Sequence, residues 1–277
     1  MKKKEGKFVL YDLAEFATWL KSTTISRIVK LIQNHHTFIP SYANFTGSNH
    51  FSLLRGMEAS HIERGFAEIA QNLTTFPDGT IAVCRSFEKI PAGILGANTG
   101  GICIENVGNF DTGKDVMTGQ QRDCVIKLNA LLCKKFALTP NSKSIVYHHW
   151  FDLQTGARTN GTGVTKSCPG TGFFGGNTVG NADGKFIPLI AAELQSSAGA
   201  APAGGAPATE AAVLFIGRVT ADNGLNVRAK PSSSSTKIKA LTKGVQVNVF
   251  EESGVWRRID AKESHWVNGD FLERVVN

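Results

Sequence analysis

The alternation of apolar and polar positions predicts three helices in the first 195 residues. The first begins at Asp12, which together with Glu15 has the form of a capping box. Its apolar positions recur three and four residues apart, at Leu13, Phe16 and Leu20. A longer helix opens at Thr118, and its apolar side carries Cys124, Leu128, Leu131 and Leu132. A third helical stretch lies near residues 58–70.

Short apolar runs between these helices predict strands. They cover residues 28–32, 81–83, 101–107 and 144–147, and the second run follows turn chemistry at residues 76–80. The first run delivers His35 and His36 just after its end. Strands that alternate with helices are typical of an α/β domain, so we expect a mixed β-sheet flanked by helices.

The last 65 residues have a different pattern, with short β-type runs at 225–228, 245–249 and 256–259 separated by turn clusters. Such spacing indicates a small all-β barrel. Between the two regions, residues 196–212 read SSAGAAPAGGAPATEAA, a composition typical of a flexible linker. We therefore expect an α/β domain at 1–195, a linker at 196–212 and an all-β domain at 213–277.

The chain carries a formal net charge of +7, without a dense Lys/Arg run beyond its first seven residues. Diffuse positive charge favours a polyanionic surface such as a bacterial cell wall over nucleic acid as a partner. No apolar stretch is long enough to span a bilayer. The charged start lacks the apolar core of an export signal, and five scattered cysteines form no disulfide framework. Both observations predict synthesis in a reducing cytoplasm.

Two histidine pairs and one cysteine are candidate metal ligands: His35-His36, His148-His149 and Cys168. Imidazole and thiolate groups together favour Zn²⁺ over Mg²⁺ or Ca²⁺. Three protein ligands leave a tetrahedral zinc with one position for water, as in catalytic sites. Such a water is a nucleophile at neutral pH, which suits hydrolysis of an amide.

Two charged residues extend this hypothesis. Lys166 precedes Cys168 by two positions, so on an extended segment both side chains point the same way and the ammonium lies where negative charge develops. Glu105 closes an apolar strand and is the candidate general base. The residues alone leave a plain alternative open, since a lone histidine or cysteine is more often a core or surface residue than a ligand.

Three runs of sequence carry a resemblance to a known family. They are Asn34-His35-His36-Thr37, Glu105-Asn106-Val107-Gly108-Asn109-Phe110-Asp111 and Lys166-Ser167-Cys168-Pro169-Gly170. In combination and order they resemble the zinc-dependent N-acetylmuramoyl-L-alanine amidases of the amidase-2 type. These enzymes are related to peptidoglycan recognition proteins and to amidase-type phage endolysins. The resemblance covers roughly residues 25–190.

The resemblance implies roles for individual residues. The zinc ligands would be His35, His148 and Cys168, with His149 left open as the alternative to His148. Glu105 and Lys166 would be catalytic. The substrate groove would be lined by His36, Thr37, Arg85 and Asn98.

The chain departs from the family in two places. Many relatives carry a catalytic tyrosine where this chain has Gln71, which lacks a phenol. The segment between His148 and Lys166 is also long for the family. The first departure shifts the expected catalytic role towards Glu105.

The C-terminal region resembles a bacterial SH3 domain. The markers are Gly224-Leu225-Asn226-Val227-Arg228, Pro231-Ser232, Lys243-Gly244, Trp256 and Trp266-Val267-Asn268-Gly269. Such modules commonly bind cell wall, and residues 213–277 carry ten Lys/Arg against seven Asp/Glu, a net charge of +3. Core packing is the alternative role for the two tryptophans.

We therefore predict a zinc-dependent peptidoglycan hydrolase that cleaves the amide between N-acetylmuramic acid and L-alanine. The alternative is a non-catalytic peptidoglycan-binding recognition protein. The enzyme would be a phage or prophage endolysin or a bacterial autolysin, made in the cytoplasm and acting at the cell wall. Its partner would be peptidoglycan, which it would meet as a monomer with neither nucleic acid nor a membrane span involved.

Overall fold

The computed structural model describes residues 2–198, 213–260 and 263–275. The chain divides between residues 201 and 202 into two compact units, each with its own hydrophobic core. The last helix of the first unit ends at Ala198, three residues beyond the predicted domain end at 195. Residues 199–212 of the predicted linker lie outside the described residues.

The N-terminal unit is a mixed β-sheet with helices. Its strands are β1 (Lys3–Glu5), β2 (Phe8–Tyr11), β3 (Leu31–His36), β4 (Leu73–Thr75), β5 (Ile81–Val83), β6 (Gly101–Asn106) and β7 (Ile145–Tyr147). Its α-helices are α1 (Leu13–Ser22), α2 (His50–Glu63), α3 (Gly119–Lys135), α4 (Val179–Asn181) and α5 (Ile187–Ala198). The strand order is β1-β2-β5-β4-β6-β3-β7, in which β4, β6, β3 and β7 run parallel and the other pairs antiparallel.

Apolar side chains cover both faces of this sheet. Successive residues of β2 alternate between two clusters, since Phe8 and Leu10 pack with α2 while Tyr11 packs with α1 and α3. Neighbouring residues of a strand point to opposite faces, so the clusters lie on either side of the sheet. The parallel strands are therefore buried between helices, as the α/β prediction requires.

Both predicted helix starts are present. The Asp12 carboxylate accepts a hydrogen bond from the Glu15 amide at 2.8 Å, and the Glu15 side chain reaches back to the Asp12 amide. The Thr118 hydroxyl accepts from the Gln121 amide at 3.1 Å at the start of α3. Each cap satisfies an amide that has no partner within its helix.

Two predicted boundaries are wrong. The helix expected near 58–70 is α2, which spans His50–Glu63 and gives way to Gly65 in the left-handed region at φ +86°. The strand expected at 28–32 is β3, Leu31–His36, which includes the polar run from Gln33 onwards. Several polar atoms of this run are buried with hydrogen-bond partners, such as the Ala97 carbonyl that accepts from Gln33 at 2.8 Å.

The C-terminal unit is all β in its described residues, apart from a 3₁₀ turn at Gly269–Phe271. One sheet has the order β10-β9-β14-β13-β12 and the other β11-β8-β15. Their strands are β8 (Phe215–Val219), β9 (Leu225–Arg228), β10 (Lys237–Leu241), β11 (Gln246–Val249), β12 (Glu251–Ser253), β13 (Trp256–Arg258), β14 (Trp266–Asn268) and β15 (Leu272–Val275). The core is formed by Val219, Leu225, Val227 and Val267.

Trp266 is buried, with its indole N–H donating to the Ser264 hydroxyl at 3.0 Å, and Trp256 is half-buried. Among the described residues, none of the helices combines the length and apolar character required to cross a bilayer.

Candidate metal centre

Three parallel strands bring the central residues of the site to one edge of the sheet. His35 of β3 lies opposite Glu105 of β6 in the parallel register. On the other side of β3, Asn34 lies opposite Tyr147, the last residue of β7, so His148 follows directly at the strand end. Carboxyl ends of parallel strands are where open α/β sheets form their sites.

His35, His148 and Cys168 converge there as a buried cluster. Nδ1 of His35 lies 3.3 Å from Nδ1 of His148 and 3.4 Å from Sγ of Cys168. All the candidate ligand atoms lie within 4.8 Å of one another. The three residues come from positions separated by 113 and 133 residues along the chain.

The donor set and its spacing fit zinc. A tetrahedral zinc with Zn–N bonds of about 2.0–2.1 Å and a Zn–S bond of about 2.3 Å separates its nitrogens by about 3.3 Å and nitrogen from sulfur by about 3.5 Å. The separations from His35 to His148 and to Cys168 match those edges. Two imidazoles and a thiol form the soft ligand set that favours zinc.

Burial keeps both imidazoles neutral. It lowers the pKa of His35 well below the usual range, and the neighbouring His148 and Lys166 charges lower it further. Burial also lowers the pKa of His148 to about 3. The same burial raises the pKa of the Cys168 thiol, which a bound metal would deprotonate. Neutral imidazole is the form that binds metal.

Glu105 lies beside the cluster. Its Oε1 is 3.8 Å from Nδ1 of His35, and its Oε2 is buried without a hydrogen-bond partner among the described residues. Burial raises the pKa of Glu105 to about 8, and the nearby Lys166 charge acts in the opposite direction. A carboxyl group with a pKa near neutrality suits proton transfer.

The cluster contains His148, and His149 faces elsewhere. Nδ1 of the His149 ring lies 2.7 Å from the backbone carbonyl oxygen of Lys166. Strand alternation could not decide between the two histidines because β7 ends at Tyr147 and His148 begins a 3₁₀ turn. The turn sends the two rings in different directions.

Asp111 and Asn177 hold the segment that carries Cys168. Asp111 accepts hydrogen bonds from the Ser167 hydroxyl and the Thr171 amide, both at 3.0 Å. The Asn177 amide group donates to the Ser167 carbonyl at 2.8 Å. Neither residue is among the predicted site residues, although Asp111 closes the run that begins at Glu105.

A cavity of about 890 Å³ opens above this site. Its walls include the predicted groove residues His36, Thr37 and Asn98 together with Glu105 and Lys166. The groove residues also have structural contacts: Nδ1 of His36 accepts from the Phe110 amide at 3.1 Å, the Thr37 hydroxyl accepts from the Gly108 amide at 3.0 Å, and Oδ1 of Asn98 accepts from the amides of Gly93 and Ile94.

Arg85 does not line this cavity, contrary to its expected place in the groove. Its guanidinium is buried and donates to the backbone carbonyls of Ile69, Ile90 and Glu68. These hydrogen bonds join the segment at Glu68 and Ile69 to the one at Ile90, so the observed role of Arg85 is structural. Arg64, at the end of α2, lines the cavity together with Lys166, and the sequence had not singled it out.

Gln71 is fully buried and likewise lies outside the cavity wall. Its amide donates to the Thr74 hydroxyl at 3.0 Å. The position that is a catalytic tyrosine in many relatives therefore belongs to the core here.

Comparison with known families gives two matches. Residues 25–171 match the family model described as N-acetylmuramoyl-L-alanine amidase, and residues 223–273 match the bacterial SH3 domain. These matches confirm both resemblances and the predicted fold classes. A comparison with curated proteins returned no match.

Several solved structures are similar to the N-terminal unit. One is the N-acetylmuramoyl-L-alanine amidase LysC from Clostridium intestinale, with 24% identity, TM-score 0.40 and coverage of 55% of this chain and 84% of that one. Another is Drosophila peptidoglycan recognition protein LB, with 21% identity, TM-score 0.44 and coverage of 55% and 81%. Drosophila peptidoglycan recognition protein SA matches with 18% identity, TM-score 0.42 and coverage of 58% and 80%.

Proposed function

The chain belongs to the N-acetylmuramoyl-L-alanine amidase family, and we propose that it is a zinc-dependent hydrolase of peptidoglycan. The bond cut is the amide between the lactyl carboxyl group of N-acetylmuramic acid and the amino group of L-alanine. The observation that carries this proposal is the buried convergence of His35, His148 and Cys168 beside Glu105.

His35, His148 and Cys168 would hold the zinc ion. When bound, zinc activates water and polarises a carbonyl group. The protein's own contribution is to fix the ligands. The Asn106 side chain donates to the His35 carbonyl at 2.7 Å, and the His149 amide donates to the Cys168 carbonyl at 2.8 Å. Ligand positions fixed before binding reduce the cost of ordering them.

Glu105 would act as the proton carrier. Its carboxylate takes a proton from the attacking water and returns it to the leaving amide nitrogen, so that a free amine and a carboxylic acid result. Oε2 of Glu105, which has no hydrogen-bond partner within the described part of the chain, would be the atom for this exchange. Lys166 lines the same cavity, and its charge acts on Glu105 and both histidines, so its ammonium would stabilise the negative charge that develops on the carbonyl oxygen.

The C-terminal SH3 domain would bind the cell wall. Its net charge of +3 favours an anionic polymer, and attachment to the wall raises the local concentration of the hydrolase there. We place the enzyme as a phage or prophage endolysin or a bacterial autolysin, a monomer whose partner is peptidoglycan.

The test is digestion of purified peptidoglycan with the zinc-loaded full-length protein, followed by mass spectrometry. We expect fragments with a free N-terminal L-alanine, and we expect a chelator to abolish their appearance. Wall binding without any such fragments at any zinc concentration would indicate a non-catalytic recognition protein instead. Cleavage at a different bond would reject the assignment of the substrate bond.

A further inference from the structure

The segment Lys166–Cys168 is held by hydrogen bonds to its three successive backbone carbonyls. The Lys166 carbonyl oxygen lies 2.7 Å from Nδ1 of His149. The Ser167 carbonyl accepts from the Asn177 side chain at 2.8 Å, and the Cys168 carbonyl accepts from the His149 amide at 2.8 Å. One residue, His149, therefore holds both ends of the segment.

The contact with Lys166 fixes the form of the His149 ring. A carbonyl oxygen only accepts hydrogen bonds, so Nδ1 of His149 must carry the hydrogen and donate it. Such a bond selects the tautomer of an imidazole and its orientation. The ring thereby ties its own residue to a residue 17 positions further along the chain.

The long segment between His148 and Lys166 passes close to this ring at one residue, Gly161. Gly161 has φ +100°, and a Cβ added there would lie 2.6 Å from Nε2 of His149. The loop therefore passes so close to the ring that only glycine fits at residue 161. This close approach belongs to the segment whose length departs from the family pattern.

The Lys166 side chain is exposed, so its direction depends on where its backbone is fixed. We propose that the His149 imidazole is a positioning residue that directs the Lys166 ammonium into the site, while the His149 main chain holds Cys168. This inference rests on the proposed function, because it gives Lys166 a task in hydrolysis. It assigns the His149 side chain no part in holding the metal.

The test compares His149→Ala with His149→Asn in the full-length zinc-loaded protein. The asparagine side chain keeps an N–H donor near the place of Nδ1 and serves as the matched control. On a soluble muramoyl peptide we expect His149→Ala to lower kcat about tenfold with KM unchanged, and His149→Asn to restore most of the loss. Zinc affinity, measured by competition with a chelator, should stay within about twofold in both variants, since the main-chain bond to Cys168 remains.

A double-mutant cycle with Lys166→Ala separates positioning from general loosening. If the ring acts through Lys166, His149→Ala should cost little once Lys166 is already alanine. Additive losses in the cycle, or a fall in zinc affinity as large as the fall in kcat, would overturn the proposal.

A readout independent of activity is the NMR order parameter of the Lys166 and Ser167 amides. We expect it to fall in His149→Ala and to stay near the wild-type value in His149→Asn. Unchanged order parameters in His149→Ala would contradict the positioning role. If the wild-type protein releases no L-alanine fragments, the proposed function fails, whereas the order parameters still decide whether His149 holds this segment.

Discussion

At the scale of single residues, neighbouring histidines have different tasks because the backbone turns between them. His148 points into the cluster with His35, and His149 points to the Lys166 carbonyl. Strand alternation could not distinguish the two residues, and only the family resemblance favoured His148 over His149. The prediction of Arg85 as a groove residue failed for a similar reason. Its neighbours in sequence do not indicate that its guanidinium donates to three backbone carbonyls.

Substitution of Glu105 and of Cys168 should separate catalysis from metal binding. We expect Glu105→Gln to keep zinc but to lower the rate of amide hydrolysis about a hundredfold or more, because the amide cannot carry the proton. Cys168→Ala should lose both zinc and activity, because it removes a ligand. Zinc content by atomic absorption and release of N-terminal L-alanine measure the two effects. A Glu105→Gln variant with more than about a tenth of wild-type activity would contradict the role of Glu105.

His61 should make stability depend on pH. Burial, assisted by the charges of Arg64 and Arg85, lowers the pKa of His61 to about 4 from its ordinary 6.5. Between pH 6.5 and about 4, the unfolded chain therefore binds a proton at His61 that the folded chain does not bind. The contribution of neutral His61 to the free energy of unfolding is complete above pH 6.5 and is lost as the pH falls towards 4.

His61→Asn is the variant that tests this dependence, because Asn can still accept from the Ala70 amide that donates to Nδ1 of His61. Between pH 7 and pH 5 we expect the wild type to lose about 1 kcal/mol more than the variant, a value reduced for the partial exposure of the ring. Urea denaturation at a series of pH values measures this difference. Parallel stability curves for the two proteins would reject the prediction.

At the scale of elements, the sequence located β3, β5, β6 and β7 and helices α1 to α3 of the N-terminal unit, with wrong bounds for β3 and α2. It gave no prediction for β1, β2, β4, α4 or α5. β3 was expected to end at residue 32, because Gln33-Asn34-His35-His36 has the polarity of a loop. The strand continues because residues 33–36 pair with β6, and residues 33 and 34 also pair with β7. Both partners are distant in sequence, so the pattern of residues around β3 does not reveal them. Of the apolar residues of α2, only Leu54 and Met57 are buried, so the helix has no wide buried apolar face that would mark its bounds in the sequence.

The contact between β3 and α3 depends on a pair of amides. Nδ2 of Asn34 donates to Oδ1 of Asn129 at 2.9 Å, Nδ2 of Asn129 donates to Oδ1 of Asn34 at 3.1 Å, and both residues are fully buried. Asn129→Ala would leave Asn34 buried without its partner, at a cost of about 2 kcal/mol in the free energy of unfolding.

The matched control for this prediction is the double variant Asn34→Leu, Asn129→Leu, which removes both polar groups and should cost less than Asn129→Ala. Chemical denaturation of the full-length variants gives the values. If the double variant is the less stable of the two, the amide pair is not what makes Asn129→Ala costly.

At the scale of the whole molecule, sequence composition separated the chain into two units that the structure also shows, although α5 continues to Ala198. The separation was predictable because the Ala/Gly/Pro-rich stretch differs from both neighbours. The cavity was not predictable, since its wall combines residues from α2 with several loops.

Removal of residues 213–277 should affect intact walls more than soluble substrate. The N-terminal unit has its own core, so we expect kcat on a soluble muramoyl peptide to stay within about twofold of the full-length value. Clearing of purified walls should slow at least about tenfold, because the local concentration effect is lost. Turbidity and peptide hydrolysis measured on the same preparations test this. Equal slowing in both assays would show that the C-terminal domain supports catalysis rather than wall binding.

The parallel pairing of β6, β3 and β7 has a consequence for when activity first arises. The cluster at the strand ends joins His35 to residues 113 and 133 positions further along the chain, so neither of these two contacts forms from local structure. Contacts so distant in sequence form late, because long loops must close first. A growing or truncated chain that lacks residue 168 would therefore lack one member of the candidate metal cluster. If the cluster holds zinc as proposed, zinc uptake would mark a late stage of folding.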